Sequence, residues 1–82
     1  MYIYKTKGVC SREIHVELDG DVIKSVQFVG GCHGNTQGVA ALAVGMTVED
    51  YIGRCKGIKC GYKESSCPDQ LACAVQEAYN AQ

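Results

Sequence analysis

Between residues 10 and 32 apolar and polar positions alternate with the two-residue period of half-buried strands. Ile14, Val16 and Leu18 alternate with Glu13, His15 and Glu17. After Asp19-Gly20, Val22, Val26 and Phe28 recur in phase, with Lys24 the exception. The pattern predicts strands over 2–6 and 10–18, joined by a turn at Lys7-Gly8-Val9, and a third strand ending near Cys32. A two-residue Asp-Gly loop would set Val16 opposite Ile23 and leave Val26 and Phe28 on the charged face. A three-residue loop, Leu18-Asp19-Gly20 with glycine at a left-handed bulge position, sets Val16 opposite Val22 and Cys10 opposite Phe28. The hydrophobic pattern favours the second register, with His15 exposed on the charged face.

Beyond the third strand the period changes. Gly30-Gly31-Cys32-His33-Gly34-Asn35 reads as a strand-to-helix turn, with Asn35 as N-cap. The helix expected at about 36–45 carries Val39, Ala40, Ala41, Leu42, Ala43 and Val44 and is apolar on every side, the pattern of a helix buried all round. Other helices or a second subunit must cover it, so a homo-oligomer is expected. Thr47-Val48-Glu49-Asp50 resembles a capping box, with Met46 and Tyr51 placed to staple across it. On that second helix Val48, Ile52 and Cys55 share a face, and Gly57 ends it. A last helix at about 68–80 buries Leu71, Ala74, Val75 and Ala78 and turns Cys73 outward with Asp69, Gln76 and Asn80. The fold expected is a single α+β domain over 1–82: a three-stranded antiparallel meander followed by three helices packed on one face.

Composition narrows the function classes. At 82 residues the chain sits near the small end of what one core can hold, where a metal, a disulfide or a partner often contributes. A formal net charge of −1 gives no electrostatic case for nucleic acid or anionic membrane. No apolar run approaches the ~18 residues that a membrane span needs. Met1 to Lys7 has no apolar signal region, so the expectation is a cytoplasmic protein whose thiols are reduced, metal-bound or redox-active.

Six cysteines carry the candidate chemistry. Cys55 falls on an apolar helix face, where a thiol is a small hydrophobe, and Cys73 reads as an exposed thiol. Cys10, Cys32, Cys60 and Cys67 lie at strand ends, loops or a helix start, where side chains can converge. Four thiolates suit zinc or an iron–sulfur cluster, although short Cys-x-x-Cys knuckles are absent. His33, beside Cys32, is a weaker ligand candidate. Cys60 and Cys67 could instead form a redox dithiol, and structural cysteines around some other site remain open. Pro68 and Asp69 mark a helix start with Ser66 or Cys67 as N-cap, where unpaired N–H groups stabilise a thiolate. Convergence of Cys32, Cys60 and Cys67, without Cys55 and Cys73, is the expectation. Gly30, Gly31, Gly34 and Asn35 offer backbone N–H groups to a phosphate of a nucleotide or flavin, without the spacing of a Walker loop or dinucleotide fingerprint.

Ser65-Ser66-Cys67-Pro68-Asp69 resembles the motif that names the TSCPD domain family, with serine in place of its threonine. Gly8-Val9-Cys10, the Phe28 to Asn35 run and Gly57-Ile58-Lys59-Cys60 also look like that family's motifs, which do not require cysteine at 55 or 73. Members occur as small free-standing proteins and as a C-terminal segment of adenosylcobalamin-dependent ribonucleotide reductases. The resemblance implies an accessory to ribonucleotide reduction that binds metal or a nucleotide-like cofactor, or relays reducing equivalents through thiols, with a reductase as a possible partner. The chain is too short to be a reductase catalytic subunit. The order of sheet, alanine-rich helix and later cysteines is also similar to iron–sulfur scaffold proteins, but their late adjacent His-Cys pair is missing. A purely structural, self-associating module is the third reading.

Overall fold

The computed structural model describes residues 1–7, 9, 11–30, 33–59, 61 and 65–82, except for the side chains of residues 33–35. Strands β1 (Tyr2–Lys5), β2 (Ser11–Asp19) and β3 (Val22–Gly30) form an antiparallel sheet in the order β1-β2-β3. Helices α1 (His33–Ala43), α2 (Val48–Cys55) and α3 (Cys67–Asn80) follow. This is the α+β meander with three trailing helices that the change of period predicts.

The β2–β3 register differs from the expectation. Val16 stands opposite Val26, neither Val22 nor Ile23, and Phe28 stands opposite Ile14. Only Gly20 and Asp21 form the loop, with Gly20 at φ +63 and Asp21 at negative φ, the pattern of a hairpin turn with glycine first. The expectation failed because it treated Lys24 as a polar residue intruding on an unbroken alternation. Leu18 pairs with Ile23 and Glu17 with Ser25, so Lys24 is an extra residue absorbed as a β-bulge. The bulge lets Ile23, Val26 and Phe28 share the face that holds Ile14, Val16 and Leu18.

That face meets α3, which lies across β2 and β1, while α1 packs on β3 and α2 against α3. Ile14, Val16, Ile23, Leu71 and Val75 are fully buried at the junction, and a side chain of that size contributes about 1.5–3 kcal/mol when fully removed from water. The turn after α1 docks on the outer edge of β3: Gly45 N donates to Ile23 O at 2.9 Å, and Ile23 N donates to Met46 O at 2.8 Å. Thr47 then caps α2, its Oγ1 accepting from Asp50 N at 3.1 Å. Met46 and Tyr51 both join the core, as the staple requires.

Two helix expectations need correction. α1 begins at His33, so Asn35 lies inside the first turn and is not its N-cap. Nor is α1 buried all round within one chain: Ala43 is buried, but Leu42 is 79% exposed and Val44 is also exposed. The sheet is too narrow to cover more than one side of it.

Gly20 and Gly53 should respond in opposite directions to an added methyl group. Gly20→Ala, forced to positive φ, is expected to lower stability by about 1–2 kcal/mol. Gly53→Ala, on an exposed helical position with open space around it, should raise stability by about 0.5–1 kcal/mol. Urea denaturation midpoints of the two variants provide the check.

Candidate functional site around the Cys67 helix start

Ser66, in an extended conformation, is the N-cap of α3, and its Oγ accepts from Asp69 N at 3.2 Å. Cys67 and Pro68 fill the first two helical positions, where Pro68 gives up no helical hydrogen bond. The Ser66 hydroxyl donates to Ile58 O at 2.6 Å, tying the segment after α2 to the start of α3. Tyr51 adds a second tie, its hydroxyl donating to Pro68 O at 3.0 Å. Burial, then bonding to Cys55, pushes the Tyr51 phenol far above its usual range, so it stays a neutral donor.

Asp69 is buried, not on a solvated face as its helical position suggested. Its carboxylate accepts from Ser65 Oγ at 2.5 Å and from Gly57 N at 2.6 Å, and lies 3.7 Å from Lys56 Nζ. Burial alone would raise this carboxyl, but the Ser65, Gly57 and Lys56 donors outweigh it and hold the group below its ordinary value. Gln70 extends the network: its Nε2 donates to Ser65 Oγ and its Oε1 accepts from Lys7 N, both at 2.9 Å. Among the described residues no buried side-chain nitrogen or oxygen lacks a partner, so the network closes on itself.

Cys67 is buried, 5% exposed, with its Sγ 3.5 Å from Ser11 Oγ. A second bulge makes this contact. Strict alternation from Ile14 would point Arg12 inward and Ser11 outward. Ser11 instead pairs with Gly30 while Glu13 pairs with Val29, so Arg12 is the absorbed residue and Ser11 faces the core at 2% exposure. Thr6 holds the same corner, its N donating to Arg12 O at 3.1 Å and its Oγ1 donating to Ser11 O. Gly30 ends β3 at φ +83, where an added Cβ would sit 3.3 Å from Arg12 Nε. Glycine there answers a close approach as well as a backbone requirement.

Of the expected site residues, Cys10, Gly31, Cys32 and Cys60 lie outside the described residues, as do the side chains of His33 and Asn35. Among the described residues no group of three His, Cys, Asp or Glu side chains could hold a metal ion. Cys55 lies half-buried against the core, as its helix face predicted. Cys73 departs from expectation: it is half-buried, with Lys56 Nζ 3.4 Å from its Sγ. Asp69 draws the end of α2 over α3, and Lys56 comes with it. Burial and then Cys73 push the Tyr4 phenol up to about 12. His15 is likewise half-buried rather than exposed, its Nε2 3.0 Å from Glu13 Oε1.

The fold and this corner define a small α+β domain latched at a Ser-Ser-Cys-Pro-Asp helix start. A family model of the TSCPD domain matches residues 2–79 of the 82, and the chain belongs to that family. No curated protein and no solved structure matches it.

The latch gives stability a defined acid limb. Because Asp69 titrates lower in the folded chain than unfolded, its stabilisation is complete above the ordinary carboxylate range and is lost as pH falls through the folded value. Asp69→Asn is expected to cost about 1.5–3 kcal/mol near neutral pH, the worth of a charged hydrogen bond. The gap from the unmodified chain should narrow once pH falls below about 3.9. Denaturation midpoints measured across pH read both effects.

Proposed function

We propose that this chain is an accessory domain for ribonucleotide reduction in which Cys10, Cys32, Cys60 and Cys67 hold a metal centre, zinc or an iron–sulfur cluster, with His33 in reserve. One observation supports the metal reading. Ser11 follows Cys10 in sequence and contacts Cys67. Ser11 also pairs with Gly30, two positions before Cys32. Ser66, directly before Cys67, bonds Ile58, two positions before Cys60. The described neighbours of all four cysteines are thus bonded in one continuous series.

Metal ligation is favoured over a thiol relay because the Cys67 sulfur is buried. A relay thiol must reach a partner's disulfide, which a buried sulfur does not, whereas a closed structural metal site can be buried. When bound, the metal would supply a cross-link between β2, β3 and the start of α3 in a chain with a small core. The association with reductase is inferred from family membership alone.

Protein purified without oxygen is expected to carry metal in native mass spectrometry and elemental analysis, with visible absorption separating a cluster from zinc. Cys67→Ser should lose the metal and Cys73→Ser should keep it. Full occupancy in Cys67→Ser, or a folded metal-free chain, would count against the proposal. For the accessory role, adding the metal-loaded chain should raise turnover of an adenosylcobalamin-dependent ribonucleotide reductase, and adding Cys67→Ser should not.

A further inference from the structure

Lys56 Nζ stands between two acceptors on α3. It donates to Cys73 Sγ at 3.4 Å and lies 3.7 Å from Asp69 Oδ1. A free lysine loses rotamer entropy when it is held in one place. Here the buried carboxylate holds it, and the thiol receives the ammonium. Contact with Cys73, and then with Asp69, raises the Lys56 ammonium above its ordinary value, so it stays a charged proton donor. Cys73 is half-buried and the Lys56 side chain is 55% exposed, so a small polar reagent can reach both. Cys67 is buried and Cys55 packs against the core, and among the described residues neither receives a hydrogen bond from a lysine.

We propose that Cys73 is a site of reversible oxidation by hydroperoxides and that Lys56 assists the reaction as proton donor. The sulfur, reacting as thiolate, attacks one oxygen of hydrogen peroxide. An S–O bond forms as the O–O bond breaks, and two electrons pass from sulfur to the departing oxygen. That oxygen would leave as hydroxide, a poor leaving group, unless it is protonated as it goes. Lys56 Nζ, already bonded to the sulfur, is placed to give it a proton. The proton that the thiol gave up then restores the ammonium. The sum is one thiol and one peroxide converted to one sulfenic acid and one water.

Neither residue makes the site alone: the thiol supplies the electrons, and the ammonium from the end of α2 supplies the proton. Cys73 is not among the proposed metal ligands, so its oxidation stands apart from metal binding.

The full chain, treated with hydrogen peroxide and a cyclic 1,3-dione that traps sulfenic acid, is followed by peptide mass spectrometry over time. Cys73 is expected to be trapped before Cys55 and Cys67. Lys56→Met should slow trapping at Cys73 by at least about tenfold, the worth of a charged hydrogen bond in the transition state. Lys56→Arg, which keeps a charged donor, should retain most of the rate. The direction of the change separates chemistry from shielding, because removing a lysine that merely covers the sulfur would speed trapping. A Lys56→Met chain that reacts as fast as the unmodified one, or faster, would overturn the proposal. Trapping of Cys55 ahead of Cys73 in the unmodified chain would overturn it whatever the variants do.

Discussion

The buried carboxylate of Asp69 is the interaction on which this small structure depends. It lies at the third position of α3, where a negative charge suits the helix dipole, but its main partners come from elsewhere. Gly57 N reaches it from the turn after α2, and Ser65 Oγ from the approach to α3. Without it, the 56–58 segment would have no charged anchor on α3. Lys56 would not be held over Cys73, and the Ser66–Ile58 bond would lose its neighbour. A buried charge is tolerable only when its lone pairs are filled, and here they are filled from two separate segments. The carboxylate therefore decides how the second helix meets the third.

The serines beside Cys67 each have a separate task. Ser66 caps the helix and grips Ile58, Ser65 bridges Asp69 to Gln70, and Gln70 reaches back to Lys7. A hydroxyl can donate and accept at once, which is why two adjacent serines can bond four groups, on Ile58, Asp69 and Gln70, without leaving a buried group unpaired. Ser11, turned inward by the Arg12 bulge, brings the sheet to the same point. Rigid positioning of a thiol by its neighbours is the condition for a metal ligand to be useful.

Much of the architecture was legible because period and punctuation agree. The alternation through Ile14, Val16 and Leu18 marked a strand, Thr47 a cap, and Pro68 a helix start, and each element stands where those signals put it. The register failed at Lys24. A bulge leaves the apolar residues correctly sided while displacing their partners, so hydrophobic pattern alone cannot count it. Asp69 was misjudged for a related reason: helical periodicity places it opposite the core, and only tertiary contact with Gly57 and Ser65 buries it. The inward turn of Ser11 had no sequence signal. For Cys73 and His15 the polar face was read correctly, but Lys56, Tyr4 and Glu13 provide cover that a one-dimensional pattern does not contain.

The bulge at Lys24 also bears on solubility. Among the described residues β3 has no strand on its outer edge, where the 45–48 turn bonds only the start of the strand, so its later residues lie on an edge that could template another chain. A bulge twists such an edge away from flat pairing, and a lysine at the bulge places a solvated charge where a second strand would have to dock. The opposite edge, β1, is only four residues long and ends at Lys5. Both rims of the sheet thus resist indefinite strand-to-strand growth.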